Sequence, residues 1–104
     1  MIFYDFEVFK EDWLAVFIDV TKKKEYVIIN NPDELKALYE ANSKDIWVGY
    51  NNRHYDQYIM KGILLGMNPK RINDWIIVEK KEGWQFSSAF NKIPMINYDV
   101  MPNP

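Results

Sequence analysis

The sequence of 104 residues contains no cysteine and a single histidine. Without cysteine the chain can form neither a disulfide framework nor a thiolate zinc site, and it lacks a thiol nucleophile. One histidine excludes any site that needs two imidazoles from the same chain. The formal net charge is only -2, which excludes a strongly basic nucleic-acid binder whose affinity depends on neutralising many phosphates.

Long uncharged runs are missing as well. The segment 62–69 is the longest of interest, and it is far shorter than the roughly 20 apolar residues that span a bilayer. Asp5 and Glu7 stand in the first few residues, where a signal peptide would carry no acid. We therefore expect a soluble protein of the cytoplasm with no membrane partner.

Hydrophobic residues make up 48% of the chain and aromatic residues 16%. This composition argues against disorder, and the length allows one domain but not two. The last residues, 99–104, directly follow an apolar run and contain no closing element. We therefore expect residues 1–104 to form a domain that is incomplete at its C-terminus.

The first thirty residues favour strands. Segments 2–9, 13–20 and 25–29 are rich in β-branched and aromatic residues, and short polar turns separate them. Connections of this length predict an antiparallel meander. Because the second segment is almost continuously apolar, we expect it to be buried on both faces of the sheet.

After residue 30 the pattern changes to helical spacing. Pro32 and the two acids that follow it mark a helix start, and the apolar segment 45–50 then predicts a strand parallel to the first. A second helix is predicted over 55–65, and further strands over 74–78 and 93–101. The predicted fold class is α/β, a mixed sheet of an antiparallel meander and parallel strands with flanking helices.

Two acidic residues lie inside the first predicted strand. Side chains alternate across a strand, so Asp5 and Glu7 point to the same face. Two carboxylates on one face repel each other, and a bound divalent cation removes that repulsion. Oxygen ligands of this kind suit Mg²⁺ or Mn²⁺. In the alternative interpretation, the strand is half exposed and both acids are simply solvated.

A polar loop leads from the predicted strand 45–50 into the predicted helix 55–65. It leaves the carboxyl end of a strand expected to be parallel, where open α/β sheets place their ligands. Asp56 stands in the first turn of that helix. The helix dipole alone also favours an acid there, and Asn51 or Asn52 alone is a common capping or turn residue.

In combination and in this order, these residues resemble the first two motifs of the DEDD-type 3′→5′ exonucleases. Over roughly residues 1–101, the chain resembles the amino-terminal part of the proofreading exonuclease domain of a phage DNA polymerase. The resemblance implies a ribonuclease-H-like fold. The matching segments are Asp5-Phe6-Glu7 for the first motif and Gly49-Tyr50-Asn51 with Tyr55-Asp56 for the second.

The resemblance also implies a catalytic site. Asp5, Glu7 and Asp56 would hold two Mg²⁺ or Mn²⁺ ions, with Asp5 as the bridging ligand, and water would hydrolyse 3′-terminal phosphodiester bonds. The single histidine, His54, is interpreted as a contact to solvent or phosphate rather than as a general base. The predicted substrate contacts are Asn51, Asn52, Arg53 for a phosphate and Tyr55 for an unpaired base.

The third motif of that family is missing from the sequence. No predicted helix after Asp56 carries a fourth carboxylate preceded by a tyrosine or histidine, and Asp99 in the last predicted strand resembles a structural or auxiliary residue. We expect residues 1–104 to be a truncated exonuclease domain, inactive alone, of an active parent enzyme. The alternative is a catalytically incomplete nucleic-acid-binding or interaction domain with the same fold.

The partners implied by the resemblance are a single-stranded or frayed 3′ end of DNA and a downstream polymerase region of the parent chain. A phage protein of this kind would act in the cytoplasm of the host cell. A sheet edge left uncovered would also permit a dimer.

A further alternative is a different metal nuclease of the same fold group that acts on hybrids or branched DNA. Nucleases of that kind lack the second motif, so the pair of Asn51 and Asp56 argues against this alternative.

Overall fold

The computed structural model describes residues 1–50 and 54–100 of the chain. Its first part is the predicted antiparallel meander, which is confirmed. The β-branched and aromatic residues that dominate these segments suit a pleated, half-buried surface. The three strands are β1 (Ile2–Val8), β2 (Trp13–Asp19) and β3 (Lys24–Ile29).

A helix and two parallel strands extend this meander into a five-stranded mixed sheet. Helix α1 (Pro32–Ala41) begins where the side chain of Asn31 accepts a hydrogen bond from the backbone N–H of Glu34 at 3.1 Å. Strand β4 (Ile46–Gly49) then pairs parallel to β1, and strand β5 (Ile96–Asp99) pairs parallel to β4. The strand order is β3-β2-β1-β4-β5, which confirms the predicted α/β class.

Helical segments connect β4 to β5. They are α2 (Tyr55–Leu64), α3 (Pro69–Asn73), a π-helical turn (Asp74–Val78) that continues α3, and two short 3₁₀ turns (Gly83–Gln85 and Ser88–Lys92). In the part of the chain that the structure describes, no helix is long and apolar enough to cross a membrane.

The prediction of a strand over 74–78 is wrong. The side chain of Asn68 caps α3, and Pro69 occupies its first turn, so the chain is already helical when it reaches the apolar run. Ile72 and Ile76 are both fully buried. Their spacing of four residues places them on one side of a helix, and burial of that side outweighs the β-propensity of the segment.

The core lies on one face of the sheet, between the strands and the helices. Alternate residues of β1, namely Ile2, Tyr4 and Phe6, are almost completely buried there. The same parity is buried on β2, and Trp47 of β4 is fully inaccessible. The helices with the strongest contacts to the sheet, α2 and α3, therefore cover this face.

The opposite face carries no helix within the described residues, and we call it the open face. It is formed by Phe3, Asp5 and Glu7 of β1 and by the neighbours of the same parity on the other strands. Ile18 of β2 belongs to it and is 46% exposed. The expectation that β2 is buried on both faces is therefore wrong, because only the helical side is covered.

Candidate functional site

The two acids of β1 both project from the open face, as the alternation of the strand predicts. Asp5 and Glu7 are exposed, and their cross-strand neighbours are Val16 and Leu14 of β2. Partial burial, followed by the nearby charge of Glu7, raises the pKa of the Asp5 carboxyl. The carboxylate of Asp5 is thus held beside a like charge at the border of an apolar surface.

Asp56 lies on the other side of β1, in the first turn of α2, and is completely buried. Its Oδ1 accepts a hydrogen bond from the backbone N–H of Phe6 at 2.9 Å, and its Oδ2 accepts one from Tyr50 at 3.2 Å. Strand β4 pairs with β1 only as far as Tyr4 and Gly49. Because β4 ends there, the N–H groups of Phe6 and Tyr50 have no partner among the described residues of a neighbouring strand. The Asp56 carboxylate accepts their hydrogen bonds instead.

The pKa of Asp56 is the most strongly perturbed among the carboxyl groups of the described residues. Burial raises it, the two backbone N–H groups lower it, and the charges of Asp5 and Asp99 raise it further, to about 7. The carboxylates of α2 and β5 converge at the carboxyl end of β4, where oxygens of Asp56 and Asp99 both approach Gly49, and the charge of Asp5 on β1 also acts on Asp56.

Gly49 makes this convergence possible. A Cβ at this position would lie 3.0 Å from Oδ1 of Asp99 and 3.1 Å from Oδ2 of Asp56. Both distances are shorter than ordinary van der Waals contact, so any side chain here would press on both carboxylates. The absence of a side chain at the last residue of β4 therefore leaves room for the two acids.

A chain of polar side chains runs through Asp99. Nδ1 of His54 lies 3.0 Å from its Oδ2, and Nδ2 of Asn97 donates a hydrogen bond to its Oδ1 at 3.3 Å. The hydroxyl of Tyr4 donates in turn to the side-chain oxygen of Asn97. His54 itself has a left-handed backbone with φ of 57°, so a strained residue begins α2 beside the carboxylates.

The predicted substrate contacts are only partly visible. Asn51, Asn52 and Arg53 lie outside the described residues. Tyr55 is buried, and its hydroxyl donates a hydrogen bond to the side chain of Asn73 at 2.6 Å. Tyr50, in contrast, is 60% exposed at the end of β4.

The sequence placed Gly49 in the second motif without a role of its own, and it assigned no role in the site to Tyr4 or Asn97. Asn97 could have been recognised from the sequence, because side chains alternate along a strand and Asn97 and Asp99 therefore make one face of the last strand polar. That this face is the one covered by the helices could not be read from the sequence, because it depends on how β5 pairs with β4.

Asp5, Asp56 and Asp99 offer carboxylate oxygens, which are the ligands that a hard divalent cation prefers. Among the hydrogen bonds and ion pairs of the described residues, none joins these carboxylates to a lysine or an arginine. Their arrangement is not a closed site: within residues 1–50 and 54–100, no three histidine, aspartate or glutamate side chains are grouped so that they could hold a metal ion.

Comparison of the chain with protein-family models, with curated proteins and with solved structures gives no significant match.

Proposed function

We propose that this chain is the metal-dependent 3′→5′ exonuclease region of a phage DNA polymerase, which hydrolyses 3′-terminal phosphodiester bonds in proofreading. The observation that carries the proposal is that Asp56 of α2 and Asp99 of β5 both approach Gly49 at the end of β4, with the charge of Asp5 acting on Asp56. The charges of the other two both raise the pKa of Asp56. Several acids whose charges interact at the carboxyl end of a parallel strand favour a cation-dependent site.

The sheet supports the same proposal. Its order β3-β2-β1-β4-β5, with an antiparallel meander followed by two parallel strands, is the arrangement expected for the ribonuclease-H-like fold implied by the resemblance. The first motif then stands on the central strand, and the second bridges the end of β4 and the start of α2.

The residues proposed to hold divalent cations are Asp5, Glu7 and Asp56. Two cations bound there would stabilise the charge that develops on the attacking and leaving oxygens of the phosphodiester. The backbone N–H groups of Phe6 and Tyr50 fix the orientation of the Asp56 carboxylate. That fixed orientation would hold one ligand in place at no further entropic cost.

The proposed substrate is a single-stranded or frayed 3′ end of DNA. The exposed ring of Tyr50 stands at the same end of the sheet as the carboxylates and offers a surface on which an unpaired base can stack. Asn51, Asn52 and Arg53 remain proposed contacts to the strand, whereas Tyr55 is buried with its hydroxyl bonded to Asn73 and presents no free ring for an unpaired base. A 3′ terminus that must enter without its partner strand suits stacking, which tolerates any base.

A second candidate is a nucleic-acid-binding or interaction domain of the same fold without catalysis. It is favoured by the solvent exposure of Asp5 and Glu7 and by the use of both Asp56 oxygens in hydrogen bonds to the backbone. In that case the acids of β1 are solvated, and Asp56 is a structural residue that joins β1 to the start of α2.

The two candidates differ in their response to metal. We expect Mn²⁺ at ten times its Kd to stabilise the chain by about 1.4 kcal/mol, seen as a rise of several degrees in Tm. Asp5→Asn should remove most of this rise, and Glu11→Gln, an exposed acid of the first turn, should leave it unchanged. In the parent enzyme, Asp5→Asn should also abolish Mn²⁺-dependent digestion of single-stranded DNA from the 3′ end.

The interaction-domain candidate predicts the opposite. Asp5→Asn and Glu7→Gln would then be neutral or stabilising, because they relieve repulsion between like charges, and Mn²⁺ would not change Tm. Digestion that persists in the Asp5→Asn parent enzyme would refute the assignment of this residue.

A further inference from the structure

A cleft of about 820 Å³ runs along the side of α3 that faces away from the core. Asn68, Arg71 and Asp74 line it at intervals of three residues, so they share one side of the helical segment. Ile72 and Ile76, which are fully buried, lie on the other side. The volume is within the range of ligand-binding clefts, about 300–1,000 Å³.

Arg71 supplies the only charge of this cleft that has no partner among the described residues. The carboxylate of Asp74 lies 2.7 Å from Nζ of Lys70. That of Glu79, the other acid of the cleft, lies 3.2 Å from Nζ of Lys81. Arg71 is exposed, and its guanidinium makes no hydrogen bond or ion pair with another described residue. The cleft therefore carries one uncompensated positive charge, and the planar fork of a guanidinium matches two oxygens of a phosphate.

Aromatic side chains border the same cleft. The rings of Trp75 and Phe86 are half-buried, with centroids 5.6 Å apart and planes nearly perpendicular at 87°. The indole N–H of Trp75 donates a hydrogen bond to the backbone oxygen of Glu82 at 2.9 Å, which fixes the ring in place. A cation beside aromatic rings suits a nucleotide unit of a single strand, because the phosphate binds the cation and the base packs against a ring.

Both ends of α3 lie close to the candidate site. The hydroxyl of Tyr55, the residue before Asp56, donates to the side chain of Asn73, the last residue of α3, at 2.6 Å. At the start of α3, Asn68 lines a second hollow together with Phe9, which directly follows β1, the strand that carries two acids of the site. The cleft therefore borders the edge of the sheet at which β1 ends, and a DNA strand can pass from it to the carboxylates.

We propose that this cleft binds single-stranded DNA next to the terminus that the candidate site would hydrolyse, with Arg71 on a phosphate and the rings of Trp75 and Phe86 against a base. The identity of the ligand rests on the proposed function, because the position of the cleft beside that site favours a nucleic acid strand over other anions. An acidic protein segment would also satisfy the charge of Arg71, but it offers no planar base to the rings. The cleft adds affinity for the DNA strand without reading its sequence.

Fluorescence anisotropy of a labelled oligothymidylate of about 12 nucleotides, within the site sizes of small single-strand binding folds, tests the proposal with the 104-residue chain. EDTA removes divalent cations, so metal binding does not contribute. We expect Arg71→Gln to weaken binding about tenfold. It should also lower the slope of log K against log salt by about 0.7, the contribution of one phosphate contact on a single strand. A merely structural role of Arg71 would leave this slope unchanged.

The matched control is Lys24→Gln, which removes the same charge from another exposed side chain. Lys24 pairs with Asp19, which pairs with Ile2 at the start of β1, so this lysine lies at the opposite end of the sheet. The variant should leave both the affinity and the salt slope unchanged. Circular dichroism should verify that both glutamine variants fold.

A second measurement tests the aromatic wall. The oligonucleotide should change the tryptophan emission of the wild-type chain, and Trp75→Phe, which keeps a ring at this position, should remove most of that change. Trp84→Phe replaces an exposed tryptophan of the first 3₁₀ turn and should retain it. Equal effects of the two variants would contradict contact between a base and Trp75.

The proposal is overturned by an oligonucleotide that does not bind, by an Arg71→Gln chain with the affinity and salt slope of the wild type, or by polyglutamate that competes as well as the oligonucleotide. The Mn²⁺ response of Asp5 is measured separately. If that response is absent while Arg71→Gln weakens binding, the proposed function is wrong and the binding cleft is retained. If the response is present while Arg71→Gln has no effect, only the binding cleft is wrong.

Discussion

A single glycine determines how closely the carboxylates of the site can approach one another. Asp56 and Asp99 reach the end of β4 from different elements, and their nearest oxygens lie about 3 Å from the point where a Cβ of Gly49 would stand. The buried Asp56 also serves as the hydrogen-bond partner of two backbone N–H groups. The Asp56 carboxylate therefore has two roles at this position: it accepts the hydrogen bonds of two backbone N–H groups, and it brings a negative charge close to that of Asp99.

Gly49→Ala tests this dependence. We expect the free energy of unfolding to fall by about 1–3 kcal/mol, because a methyl group there is an overpacking substitution against two fixed carboxylates. Urea unfolding followed by tryptophan fluorescence gives the value. In an Asp99→Ala background the added cost should shrink by about 0.5 kcal/mol or more. An alanine variant within about 0.5 kcal/mol of the wild type would show that the carboxylates can move aside.

At the scale of elements, the weakest part of the sheet is its last strand. Strand β5 has four residues, pairs only with β4 and is an edge of the sheet. Side chains on its helical face supply a further connection: Asn97 accepts a hydrogen bond from Tyr4 of β1, and Asp99 contacts His54 before α2. These contacts join β5 to β1 across β4, and to the start of α2.

Tyr4→Phe removes this connection without changing the packing of the ring. We expect a loss of about 1 kcal/mol, the usual net value of one hydrogen bond, concentrated in β5. Amide hydrogen exchange should become faster at Tyr98 and Val100 and stay unchanged in the β2–β3 pair. Tyr26→Phe, on a half-buried tyrosine of β3, is the matched control. Equal acceleration throughout the sheet would contradict a local role for the Tyr4 hydroxyl.

Much of this architecture was predictable because it follows from local patterns. The meander, the start of α1 and the parallel β4 followed from strand propensity, from a proline at a helix start and from a helical crossover between the strands. The segment 74–78 misled because its residues favour strands individually, whereas the burial of Ile72 and Ile76 decides for a helix. The helical spacing of Ile72 and Ile76 begins before residue 74, and it determines the structure of 74–78 more strongly than the strand-favouring residues within that segment.

The candidate site was predictable only within single elements. The shared face of Asp5 and Glu7 follows from the alternation of one strand. The hydrogen bond from Phe6 to Asp56 and the effect of the Asp99 charge on Asp56 depend on how separate elements pack, and no local pattern contains that information. Residues 51–53, which include three of the predicted substrate contacts, lie outside the described residues.

At the scale of the whole molecule, the site affects the dependence of stability on pH. The pKa of Asp56 is raised to about 7. Burial raises it most, the N–H groups of Phe6 and Tyr50 lower it, and the charges of Asp5 and Asp99 raise it further. In an unfolded chain the pKa is about 3.9. Between these values the folded protein holds a proton that the unfolded chain has released, so the free energy of unfolding decreases as pH rises.

We therefore expect the metal-free protein to melt several degrees higher near pH 5 than near pH 8. Asp56→Asn, which has no titratable group, should flatten this slope. Asp74→Asn is the control, because a hydrogen bond from Lys70 lowers the pKa of that exposed carboxyl, and its effect is confined to more acidic solutions. Calorimetry in the presence of EDTA measures the slope. Stability that rises from pH 5 to pH 8 would contradict the proposed burial of a protonatable Asp56.

The position of His54 has a practical consequence for spectroscopy. The chain has one histidine, and its Nδ1 lies against Asp99 at the end of β4 where the acids converge. A nitrogen correlation spectrum of the imidazole therefore contains one spin system, and its shifts report which ring nitrogen carries the proton. A cation that enters among these carboxylates, or a proton that leaves them, would be visible as a change in a single, unambiguously assigned signal.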